Sequence, residues 1–243
     1  MKPKHLAMLL APVALAWTAS ALALPIAISS SLNLIALSDA GGGMVTNTDT
    51  QTQGATVNPL IASVDAIAVS GNARVDTHAD AAATWTDAAS GTVTFRSVGW
   101  RSSNVTFGSS EVDFGTDWQY TFTADATGLF TMDWNIFDSG GSTNTFGLNG
   151  FNFDWSGAGG GIFLDFASSG ALTRSIVTGT TYTVGLENVA NIGGGLGTRA
   201  AHMDGLFDWS MGTARVPEPS ILALMGLGLG LLPLLRGRRA ARA

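Results

Sequence analysis

The chain of 243 residues has no cysteine and only two lysines, and charged side chains make up just 12% of it. Without a thiol there is no disulfide framework, no thiolate metal site and no cysteine nucleophile. Both lysines, Lys2 and Lys4, stand at the N-terminus, so no lysine-bearing phosphate loop exists further on. A net charge of −6 offers no basic surface to neutralise phosphates, and no nucleic-acid partner is expected. Neither HExxH nor GxSxG occurs. Long helix-period patterns and βα alternation are missing too, which argues against a nucleotide-binding α/β fold. Glycine, by contrast, is abundant at 31 residues, and 46% of the chain is hydrophobic. That balance favours an all-β protein rich in turns, with length enough for one large core.

The two ends differ from the middle. Lys2 and Lys4 precede an uncharged apolar run from Leu6 to Trp17, and Ala21-Leu22-Ala23 supplies small residues at −3 and −1. This reads as a signal peptide over 1–23, cut between Ala23 and Leu24. At the other end, residues 221–235 read ILALMGLGLGLLPLL, followed by Arg236, Arg238, Arg239 and Arg242. At about 1.5 Å per residue this run covers about 22 Å of a hydrocarbon layer near 30 Å. Ser220 extends it and the arginines snorkel, so a single spanning helix over 220–235 is expected. Basic residues hold both ends inside, placing the intervening chain outside. That exported part, Leu24 to Arg215, carries 17 acidic residues against six arginines and no lysine, a balance of −11.

Immediately before the apolar run stands Val216-Pro217-Glu218-Pro219-Ser220. Two prolines around one glutamate hold an extended, exposed peptide. The order Pro-Glu-Pro, short apolar helix and terminal arginine cluster resembles the PEP-CTERM sorting signal of Gram-negative bacteria, here over residues 216–242. The resemblance implies that a membrane-embedded exosortase recognises Pro217, Glu218 and Pro219 and cleaves nearby. The helix and arginine tail would then be a transient inner-membrane anchor, ahead of release to the cell surface or the medium. Because this tail is joined to many unrelated exported domains, some ice-binding proteins among them, it specifies handling and leaves activity open.

Between the ends, period-two alternation dominates. Ala73, Val75, Thr77, Ala79, Ala81, Ala83 and Trp85 share one face, with Arg74, Asp76, His78 and Asp80 on the other. Trp118–Ala124 and Phe130–Ile136 alternate on either side of Asp125-Ala126-Thr127-Gly128 and read as a hairpin. Further strands are expected around Val93 and Phe95 and at Phe151–Trp155, Ile162–Phe166, Thr181–Leu186 and Leu206–Met211, with Leu32–Leu37 a first strand or a short helical turn. The expected fold is an all-β sandwich with jelly-roll-like wiring, flanked by the signal helix and the C-terminal transmembrane helix. The expected organisation is a signal peptide at 1–23, a first strand with a polar Gly/Thr-rich loop at 24–58, the sandwich at 59–215 and the sorting signal at 216–243.

Candidate sites inside the sandwich are few. Asp-Trp recurs at Asp117-Trp118, Asp133-Trp134, Asp154-Trp155 and Asp208-Trp209. Each tryptophan takes the apolar phase of its strand and each aspartate the wet one, which makes the indoles core rather than sugar platforms. Trp100, in a loop-like Gly99-Trp100-Arg101 context, is the expected exposed indole and candidate ligand-binding residue. His78 and His202 are read as solvated, with a metal or acid–base role only if they converge with carboxylates such as Asp80 or Asp204. Asp138 to Asn144 has the oxygen ligands for calcium but not the spacing of a calcium loop, so no metal or other cofactor is assigned. Thr46, Thr48, Thr50 and Thr52 would form one rank on an extended strand and are read as polar loop. The expected function is a non-enzymatic, exported surface or matrix protein with an exosortase, the inner membrane and extracellular polysaccharide as partners. A carbohydrate-binding module for an exopolysaccharide is the alternative, ahead of an ice-binding surface protein or a glycan hydrolase.

Overall fold

The computed structural model describes residues 25–56, 58–102, 109–112, 117–138, 150–192 and 199–213. The signal-peptide boundary at Ala23 and Leu24, the motif Pro217, Glu218 and Pro219, and Arg236, Arg238, Arg239 and Arg242 lie outside the described residues. So does most of the candidate calcium loop after Asp138. Among the described residues there is no helix and there are thirteen strands. They are β1 (Ile26–Asp39), β2 (Met44–Gln53), β3 (Leu60–Ser70), β4 (Ala73–Asp87), β5 (Ser90–Ser102), β6 (Ser109–Val112), β7 (Trp118–Thr123), β8 (Gly128–Phe137), β9 (Gly150–Trp155), β10 (Ile162–Asp165), β11 (Ser169–Ile176), β12 (Thr181–Ile192) and β13 (Arg199–Thr213).

These strands build two antiparallel sheets stacked as a sandwich. Sheet I runs β10-β9-β12-β6-β1-β2, with β7 sharing β6's row between β12 and β1; sheet II runs β11-β8-β13-β5-β4-β3. The alternation predicted for 73–83 is realised, every odd residue from Ala73 to Ala83 being buried. Inward faces of both sheets meet in one core: Leu32 and Leu34 from β1, Trp118, Tyr120 and Phe122 from β7, Phe130 and Met132 from β8, Phe207 and Trp209 from β13. The aromatics touch edge-on and stacked, Tyr120 lying 5.4 Å from both Phe122 and Trp209 between ring centroids. Burial here pushes the Tyr120 phenol up to about 12.

Three expectations are corrected. Trp118–Ala124 and Phe130–Ile136 are not a hairpin: β7 pairs with β1 and β12, whereas β8 pairs with β11 and β13. The segment Asp125–Thr127 carries the chain from one sheet to the other, so two dry faces that would have lain side by side instead face each other across the core. The polar stretch Ser38–Asn58, expected as a long loop or an irregular edge, contains the regular edge strand β2, paired with β1 from Ser30↔Gln53 to Asp39↔Met44. The third correction is β3, absent from the expected strands. Ile61, Ile67 and Val69 are exposed on its outer face, so apolar residues stand in both phases and hide the alternation.

β3 and β4 form a tight hairpin through Gly71 and Asn72. Gly71 has φ 58° and Asn72 is not among the positive-φ residues, which is the type II′ arrangement with glycine at the first central position. The free edges of β2 and β3 are clasped by side chains. The Asn47 amide donates to the Asp65 carbonyl at 2.5 Å, and Asp49 Oδ2 accepts from the Ser63 N–H at 3.0 Å. Ser38 of β1, buried, donates to the Ala66 carbonyl of β3 at 2.8 Å. Edge strands that would otherwise offer an unpaired ladder are thereby joined to each other.

Candidate functional site

The outer face of sheet II carries the chemistry. Register places Ile61, Ala82, Thr94 and Leu206 in one row across β3, β4, β5 and β13. Ser63, Asp80, Arg96, Asp204 and, on β8, Phe137 form the next row. Together the two rows line a trough of about 460 Å³. Its rim is apolar, with Ile61 69%, Phe137 39% and Leu206 36% exposed, while Asp80, Arg96 and Asp204 alternate in charge across its floor.

A third row holds Asp65, His78, Val98 and His202. His78 Nδ1 lies 2.7 Å from Asp65 Oδ1 and Nε2 lies 2.6 Å from Asp80 Oδ2. Partial burial works against a charged imidazole, but the hydrogen bonds to Asp80 and Asp65 outweigh it and hold the ring's pKa above its ordinary value. Burial likewise works against the Asp80 carboxylate. The Ser63 and His78 hydrogen bonds, with the charges of His78 and Arg96, reverse that and hold Asp80 below the ordinary value. The two carboxylates sit at opposite nitrogens of one ring, so they do not converge on a common point where a cation would bind. Among the described residues no group of three or more His, Asp or Glu is disposed to hold a metal ion.

The expected site residues fall differently from their sequence reading. Trp100 is not in a loop. It lies in β5 opposite Asp76 and Ala200, half-buried on the sheet II face, because alternation continues through Gly99 and Arg101, both buried. It stands about 13 Å along the strand from Arg96 and does not line the trough. His78 is bracketed rather than simply solvated, having met Asp80 as the acid–base reading required. His202 is half-buried in the same row. Of the Asp-Trp pairs, Trp118, Trp155 and Trp209 are core and Asp133, Asp154 and Asp208 are exposed, as expected. Trp134 is half-buried against the core. Asp117 departs: its side chain is buried and accepts the Asn188 backbone N–H, and Asn188 in turn donates to Ser97 in the facing sheet. Asp138 is exposed.

Thr46, Thr48, Thr50 and Thr52 do form a rank, on the exposed face of β2. Opposite them on β1 stand Leu37, Ile35, Asn33 and Ser31, so the rank is one strand wide.

The aromatic at the trough, Phe137, was missed by sequence reading, as were Ile61, Arg96 and Leu206. A signal existed: Phe137 and Leu206 are apolar residues in the wet phase of their strands, where burial of the alternate positions leaves them on the surface.

Asp80 and Asp204 flank Arg96 two strands apart, about 10 Å between backbones. Asp80, held below its ordinary value by the Ser63 and His78 hydrogen bonds, is an anionic hydrogen-bond acceptor. Comparison of the chain with protein-family models, curated proteins and solved structures finds no match.

Proposed function

We propose that this chain is an exported, non-enzymatic surface or matrix protein whose sheet II face binds extracellular polysaccharide. The trough carries the reading. Apolar Phe137, Leu206 and Ile61 suit the C–H faces of sugar rings, while Asp80, Arg96, Asp204 and Ser63 suit their hydroxyls. Its volume falls within the roughly 300–1,000 Å³ of small-ligand clefts. The body is a jelly roll on this reading. The orders β5-β13-β8-β11 and β7-β12-β9-β10, with successive strands switching sheets, match two interlocked Greek keys, and β1 to β4 extend them.

Export and processing rest on the two ends. The signal peptide would deliver the acidic body across the inner membrane of a Gram-negative cell, and the tail would anchor it until an exosortase acts at Pro217, Glu218 and Pro219. Replacing Glu218 with alanine should leave an unprocessed precursor in the membrane fraction, read by its size on a blot; normal processing would count against the sorting role.

The binding surface is tested with the protein recovered after export from cells expressing the full chain. On a glycan array it should bind saturably. Phe137→Ala should weaken that binding at least about tenfold, the worth of losing one ring-stacking contact of 1.4 kcal/mol. Undiminished binding by the variant would remove the trough from the account.

A further inference from the structure

The charges around the trough narrow the class of polysaccharide. The outer face of sheet II presents Asp65, Asp76, Asp80, Asp133, Asp204 and Asp208 against Arg74 and Arg96. Arg74 and Asp76 on its own strand, Nε to Oδ1 at 2.9 Å, offset each other. His78, held between Asp65 and Asp80, offsets part of their charge. That leaves Arg96 as the cation in the trough, between Asp80 and Asp204. Asp133 and Asp208 stand directly opposite each other on β8 and β13, a like-charge pair that costs stability unless a positive group approaches. An anionic polymer, whether uronate or sulfated, would meet this field at a loss.

From the geometry of the trough and the sign of this face, we infer that the preferred ligand is a glycan bearing free amines, a partly deacetylated glucosamine polymer. This inference rests on the polysaccharide reading above and adds its charge. Sugar rings lie along the apolar rim of Phe137, Leu206 and Ile61, and ammonium groups reach Asp204, with Asp208 and Asp133 beyond on the same face. A glycan of this kind repeats its positive charge along its length, as the sheet repeats its negative charge across β13 and β8. The opposite face is poorer in charge near β1 and β2, where Thr46 to Thr52, Ser31 and Asn33 predominate.

The test uses exported protein from cells expressing the full chain, at pH 5.5, where glucosamine amines are charged. Binding is measured to chitosan, to fully acetylated chitin and to polygalacturonate. Chitosan should bind at least tenfold more tightly than chitin at low salt, with the advantage lost in 0.5 M sodium chloride, and polygalacturonate should not bind. Asp204→Asn should reduce chitosan affinity several-fold and leave chitin affinity unchanged, whereas Asp154→Asn, exposed on sheet I, should alter neither. Equal affinity for chitosan and chitin would overturn the amine preference while leaving the trough as a glycan site. Equal losses in the Asp204 and Asp154 variants would mean diffuse adsorption and would also overturn it. Tighter binding of polygalacturonate would do the same, and failure of every glycan would remove both readings.

Discussion

Gly205 sits under the trough where β13 passes the aromatic core. A Cβ built there would lie 2.7 Å from Phe151 Cζ and from Phe207 Cε2. Both rings are fully buried and packed together, 4.8 Å between centroids, with Phe95 5.2 Å from Phe151, so neither can retreat. Gly205→Ala should therefore destabilise the protein by about 1–3 kcal/mol through overpacking, read as a lower urea midpoint at unchanged slope. A neutral result would mean that these rings have room to move. At this scale the sequence is legible only in part. Alternation assigns Trp118, Trp155 and Trp209 to the core correctly, because a wide apolar side chain in the dry phase has nowhere else to go. It misassigns Asp117, whose place inside depends on the distant Asn188 N–H, and it does not place Trp100 within a strand. Such pairings join residues far apart in the chain and leave no local mark.

The latch between β3 and β4 operates at the level of elements. β3 is an edge strand, held by its ladder to β4, by the Asn47 and Asp49 clasp from β2, and by the Asp65–His78–Asp80 bridge on its outer face. His78 has a folded pKa above its ordinary 6.5. Its contribution to stability is full below that value and is lost as pH rises through the raised one. Asp80 has a folded pKa below its ordinary 3.8, so its contribution is present above 3.8 and is lost as pH falls through the lowered value. The bridge is therefore strongest between about pH 4 and 6.5. Replacing His78 with glutamine should flatten the alkaline decline in melting temperature between pH 6 and 9. The effect should be at most about 1 kcal/mol, because all three side chains are partly exposed and water screens them. An alkaline slope identical in the variant would refute the latch. The elements themselves were readable wherever one phase was apolar and the other polar, as in β4 and β7. β2, nearly all polar, and β3, apolar in both phases, escaped because edge strands answer to neighbours and solvent rather than to a single buried face.

For the whole molecule, the decisive feature is that the chain changes sheets repeatedly: β7 in sheet I, β8 in sheet II, β9 and β10 in sheet I, β11 in sheet II, β12 in sheet I, β13 in sheet II. Neither sheet can complete its ladder before the other, and pairings such as β5 with β13 close loops of about a hundred residues. Unfolding should thus follow one transition, with tryptophan fluorescence and far-ultraviolet circular dichroism superimposed, and refolding should be slow, on the order of milliseconds to seconds or longer. Two separated transitions would show that the sheets fold as independent units. Composition and periodicity alone determined that the described body is all-β, acidic and lysine-free, and which phase of the alternating strands is buried. These follow from the local preference of each residue for water or for apolar surroundings. Only the tertiary structure decided that β7 and β8 face each other instead of pairing, and that Ile61, Leu206 and Phe137 meet Asp80, Arg96 and Asp204 in one trough. Strand order and register bring those residues together, and both are set by the packing of two sheets on one core rather than by any run of neighbours along the chain.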